Sequence, residues 1–241
     1  MLTILAAEAL KLRRSLVLLV VGVAPASVAA IATAALITRD GGVAWERYLD
    51  EGLAMWSFFM LPLAVTALTL LLAQVEHGAR MWGHLFAQPT GRAAQMLAKL
   101  AVAAALLAAM QAIMAIGMFA GGFGIDLVFG GTKLVGDTQI DDMARGMAWM
   151  TLGALPLLVL QLWLALVVRS FVVPLAVGIV GTFVVLVATA AGVDMPLPWG
   201  LPVYATMWPK PIGVIGVWGG LLGGGVAVAA MLGDLARREM G

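Results

Sequence analysis

The residues best suited to chemistry in this chain sit close together. From Gln74 to Arg92 the sequence reads QVEHGARMWGHLFAQPTGR, a polar island that contains both histidines, His77 and His84, together with Glu76. Haem anchoring would need axial ligands inside a membrane, and both histidines lie between the long apolar runs, not within them. With no cysteine in the chain, disulfides, thiolate metal sites and cysteine nucleophiles are excluded. No G-x-x-x-x-G-K-[ST] phosphate loop occurs, so any use of ATP has to take place on another chain. No metal set and no catalytic set emerges, and the island must be understood through the elements that hold it.

Those elements belong in a bilayer. Hydrophobic residues make up 63% of the 241 and charged ones 11%, with a mean hydropathy of +1.04, far too little polar surface to cover a soluble globule. Six apolar runs, at roughly 15–38, 53–74, 94–120, 146–168, 171–191 and 212–232, are each near the 20 residues a spanning helix needs. Six spans put both termini on one side. That side holds Lys11, Arg13, Arg14, Arg80, Arg92, Lys99, Arg169, Arg237 and Arg238, against Arg39, Arg47, Lys133, Arg145 and Lys210 opposite. The excess of Lys and Arg predicts cytoplasmic termini. No charge falls near the middle of a predicted span, where ion-coupled transporters and proton relays usually place one.

The start, KLRRSLVLLVVGVAPAS, resembles a cleavable signal peptide with a small-residue site at Ala24-Pro25-Ala26. Its apolar run continues through Ile37, long enough to span, so retention as the first transmembrane helix is expected. Ahead of it, in residues 1–14, Leu2, Leu5, Ala9 and Leu12 recur at helical spacing, which suits an amphipathic helix in the interface or an extension of the first span. The three loops on the far side are rich in glycine, acidic residues or proline and are expected to form ordered caps, not separate domains. The whole of 1–241 is therefore one transmembrane domain.

Trp45, Trp56, Trp149, Trp199, Trp208 and Trp218 fall near the far boundary, where an aromatic belt is expected; ligand contact is the second use. Thr66, Thr69, Gln111, Thr151 and Gln161 are isolated polar groups within the spans, suited to hydrogen bonding between helices or to lining a pathway. The glycine-rich run GVIGVWGGLLGGGVAVAAMLG permits close helix approach, and the fifteen methionines suit gap filling or an adaptable greasy cavity.

Within the island, Met81, Trp82, Leu85 and Phe86 recur at 1-, 3- and 4-residue spacing, giving a short amphipathic helix that Pro89 ends. Such a helix is a knob for a partner's groove. The order Glu76, Gly78, Leu85, Pro89, Arg92 resembles a segment after the second span of the membrane subunits of type-2 ABC transporters, the six-span permeases that work with separate ATPases. Ala79 stands where those proteins usually have Thr or Ser, and the large outer domain of some of them is missing here. The resemblance implies that 76–92 is a cytoplasmic coupling segment, with Glu76, Gly78, Met81, Trp82, Leu85, Phe86, Pro89 and Arg92 docking on the ATPase. It also implies an all-α integral membrane fold with a short coupling helix between the second and third transmembrane helices, and a second permease chain making a homo- or heterodimer.

ATP and Mg would then be bound on the partner ATPase, with no cofactor on this chain and no nucleic acid among its partners, which include membrane lipid. The compact outer loops are most similar to those of bacteriocin or lantibiotic self-immunity permeases. An ATP-driven exporter of a hydrophobic or amphipathic peptide, lipid or drug-like molecule in a bacterial inner membrane is the resulting expectation. The alternative is a non-transporting membrane anchor or scaffold subunit of a larger membrane complex.

Overall fold

The computed structural model describes residues 8, 10, 12, 15–78, 92–168 and 170–237. Its elements are α1 (Val17–Ile37), β1 (Val43–Ala44), α2 (Trp45–Met55), a π-turn (Trp56–Met60), α3 (Leu61–Gly78), α4 (Arg92–Val128), β2 (Leu134–Val135), α5 (Ile140–Gly153), α6 (Leu155–Val167), α7 (Val172–Ala190), α8 (Leu201–Thr206) and α9 (Pro211–Arg237). The fold is all-α and membrane-integral. Five continuous helices are long and apolar enough to cross a bilayer, and the bent pair α5–α6 makes a sixth span. In the hydrocarbon core no water can satisfy the backbone, so helices must carry the crossing.

The observed spans match the predicted runs at their centres and differ at their ends. The third was expected over 94–120, but α4 runs on to Val128 and ends where Gly130 and Gly131 adopt left-handed φ of 68° and 76°. The fourth is not one straight helix. Pro156 cannot donate to the Leu152 carbonyl, and α5 and α6 meet at 41°. The second begins early, at Trp45, with charged turns over Glu46–Glu51 that lie ahead of its apolar run from Leu53. Pro62 also lacks an N–H for the Phe58 carbonyl. The ladder shifts by one residue there, Leu61 N donating to Trp56 O, and the π-turn results.

The second span is the hub. In its apolar window 61% of residues are buried, against 22–28% in the other continuous spans. Leu61, Val65, Leu68 and Leu72 of α3 share one buried core with Met110, Met114 and Met118 of α4 and Leu158 and Leu162 of α6. Methionine here fills gaps in the core. Apolar residues on α1 and α7, such as Leu19, Val180 and Val187, are left exposed, as lipid-facing residues must be.

Glycine decides how α9 packs. A methyl group at Gly216 would lie 2.2 Å from the Ala205 nitrogen, and one at Gly220 would lie 2.3 Å from the Leu152 carbonyl oxygen. Their absence lets α9 touch the backbones of α8 and α5, and Leu201–Ala205 are fully buried.

The loops at the end opposite the termini, the distal end, are ordered. β1 and β2 pair in parallel, Val43 with Leu134, and the Lys133 ammonium donates to the Arg39 carbonyl. Asp126 Oδ1 accepts from the backbone N–H groups of Lys133 (3.0 Å) and Leu134 (2.9 Å). The first and second distal loops are thereby joined.

Candidate functional site

The end of the bundle that carries the termini delivers the polar island. Helix α3 runs to Gly78 and α4 begins at Arg92, so Glu76, Gly78 and Arg92 are helical. Met81, Trp82, Leu85, Phe86 and Pro89, with His84, lie outside the described residues. Glu76 occupies the last turn of α3 and Arg92 the first position of α4. In each place the macrodipole of the carrying helix disfavours that charge.

Two contacts brace this end. Lys99 of α4, only 3% exposed, donates to Glu8 Oε2 at 2.8 Å and ties the chain's start to the helix leaving the island. Of the expected amino-terminal helix over 1–14, Glu8, Leu10 and Leu12 are helical and Leu12 is buried; its other residues lie outside the described ones. On the other flank, Trp163 Nε1 donates to Asp234 Oδ2 at 3.1 Å and joins α6 to the end of α9.

The five polar groups of the spans divide by chemistry. Thr66 donates to Pro62 O (2.9 Å), Thr69 to Val65 O (2.9 Å) and Thr151 to Met147 O (2.8 Å), each back into its own helix. These hydroxyls are spent locally and do not join helices. Gln111 differs: its Oε1 accepts from Trp56 Nε1 at 2.5 Å, tying α4 to the π-turn, while its Nε2 has no partner. Gln161, fully buried on α6, has a partner for neither amide atom. No hydrogen bond runs between helices from one of the five to another.

The tryptophans divide as well. Trp45 and Trp56 were expected in the belt, but they are 4% and 0% exposed and belong to the core, Trp45 standing edge-on to Tyr48 at 5.9 Å. Trp218 is exposed, as an anchor is. Trp149 and Trp208 are neither in the core nor apart on the surface but stand together. Their rings lie 5.3 Å apart on the wall of a distal cleft of about 520 Å³. The cleft lies between α2, the π-turn, α5, α8 and residues 207–210.

The charges of this cleft are unevenly matched. Glu46 and Asp50 stand one turn apart on α2, and neither has an ion-pair partner among the described residues. Asp142 is paired with Arg145 at 3.2 Å, and Lys210 lies on the wall as a separate cation. Glu51, on another face of α2, accepts from Arg39 (2.6 Å) and Arg47 (3.0 Å). Sequence reading missed the cleft. A carboxylate pair spaced i, i+4 was visible in WERYLDEG, but the tryptophans that share its cleft come from α5 and from the turn after α8.

Residues 4–185 match the model of a family described as ABC-2 family transporter protein. Comparisons with curated proteins and with solved structures each find no match. Because the family match runs from the start of the chain into its fifth span, well over half its length, the chain belongs to the ABC-2 transporter family and is a membrane permease subunit of an ABC transporter.

Proposed function

We propose that this permease is the membrane half of an ATP-driven exporter whose nucleotide is bound and hydrolysed on a separate cytoplasmic ATPase. The observation that carries this reading is the pair of helix ends at Gly78 and Arg92. They hold the Glu-Gly-Leu-Pro-Arg segment at the end of the bundle where basic residues accumulate. The segment docks through Met81, Trp82, Leu85 and Phe86, and ATPase closure moves α3 and α4, whose ends it joins. Since the second span, which α3 completes, is the most buried of the continuous spans, a displacement at its end reaches the helices around it.

The functional unit is a dimer of permeases, of one kind or two, in a bacterial inner membrane with cytoplasmic termini. The cargo is hydrophobic or amphipathic, and a self-immunity exporter is the subtype that the small distal caps favour. Purification in mild detergent tests the proposal. A co-purifying chain with a phosphate loop is expected, and recovery of the permease with only unrelated enzyme subunits would favour the anchor alternative.

A further inference from the structure

We propose that the distal cleft between α2, α5 and α8 binds a monovalent organic cation with an apolar, aromatic body. This goes beyond the transport reading and does not require the ATPase.

Three independent features of the cleft specify that ligand. The volume, about 520 Å³, suits a small molecule. The wall carries Trp149 and Trp208 as a tilted pair, with Phe58 and Met143 beside them, so an apolar body finds aromatic faces and a cation finds ring quadrupoles. Glu46 and Asp50 present two like charges at i, i+4, an arrangement that disfavours the empty helix and that a bound cation relieves. With Asp142 and Arg145 neutralising each other, the unpaired charges are two carboxylates against Lys210, one negative charge in excess. That excess matches a monocation.

The test uses the whole chain in lipid nanodiscs without nucleotide, and two probes of the same shape and opposite charge, tetraphenylphosphonium and tetraphenylborate. Binding is measured over protein-free nanodiscs. Tetraphenylphosphonium should bind saturably, and tetraphenylborate should not displace it. The Glu46→Gln, Asp50→Asn double variant should weaken cation binding by about tenfold or more. Trp208→Ala should weaken it several-fold, and Lys210→Gln should leave it unchanged or tighten it. Glu46 and Asp50 are exposed, and an unchanged melting temperature verifies that neutralising them spares the fold. Absence of saturable binding, equal binding of both probes, or wild-type affinity in the doubly neutralised variant would each overturn the proposal. None of these outcomes bears on whether an ATPase docks at the opposite end.

Discussion

A glutamine sealed in a membrane bundle is either partnered or a liability, and Gln111 and Gln161 exemplify the two. Trp56→Phe removes the donor to Gln111 Oε1 and leaves that amide wholly unpaired, so it should cost about 1 kcal/mol, the scale of interhelical hydrogen bonds in lipid. Adding Gln111→Leu should restore the loss, as thermal unfolding in detergent will show. Gln161→Met should raise the melting temperature, since both amide atoms are already unsatisfied. Little of this was legible in sequence. The spacing of Thr66, Thr69 and Thr151 shows that they lie in spans, but not that each hydroxyl turns back to its own carbonyl. Trp56 and Gln111 are 55 positions apart, and nothing local links them.

Helices were the most legible level, because hydropathy reports the crossing directly. Their irregularities were written in proline and glycine, though only partly readable. Pro156 marked a break, yet the break became visible only with the bend of α5 against α6. Pro62 near the start of an apolar run gave no sign that the preceding turn would widen. In α9 the glycines signalled close approach without saying to what, since α8, the partner of Gly216, lay in a segment expected to be only a cap. A paired measurement isolates this effect. Gly216→Ala forces a methyl group against the Ala205 backbone and should cost about 1–3 kcal/mol, the usual range for overpacking. Gly225→Ala meets nothing within 4 Å and should be neutral or slightly stabilising through helix propensity. Equal melting temperatures for the two variants would contradict the packing account.

At the scale of the molecule, the terminal end gathers the Glu8–Lys99 pair, the Trp163–Asp234 bond and the helix ends at Gly78 and Arg92, while the distal end gathers the paired strands and the cleft. The excess of basic residues at the terminal end predicts its side of the membrane. Since the chain has no cysteine, single cysteines report this cleanly. At Asp137 and Asp194 they should react with an impermeant thiol reagent from outside intact cells, and at Gly83 they should not. The central claim is that Met81, Trp82, Leu85 and Phe86 transmit ATPase closure to the spans, and it is tested most directly in vesicles reconstituted with permease and ATPase. There, ATP turnover and substrate movement are followed together in a Trp82→Ala, Leu85→Ala variant. Buried aromatic anchors account for about 2 kcal/mol or more of an interface, so the variant should lose ATPase association or hydrolyse ATP without transport. Full coupled transport by that variant, with a wild-type melting temperature, would contradict the account.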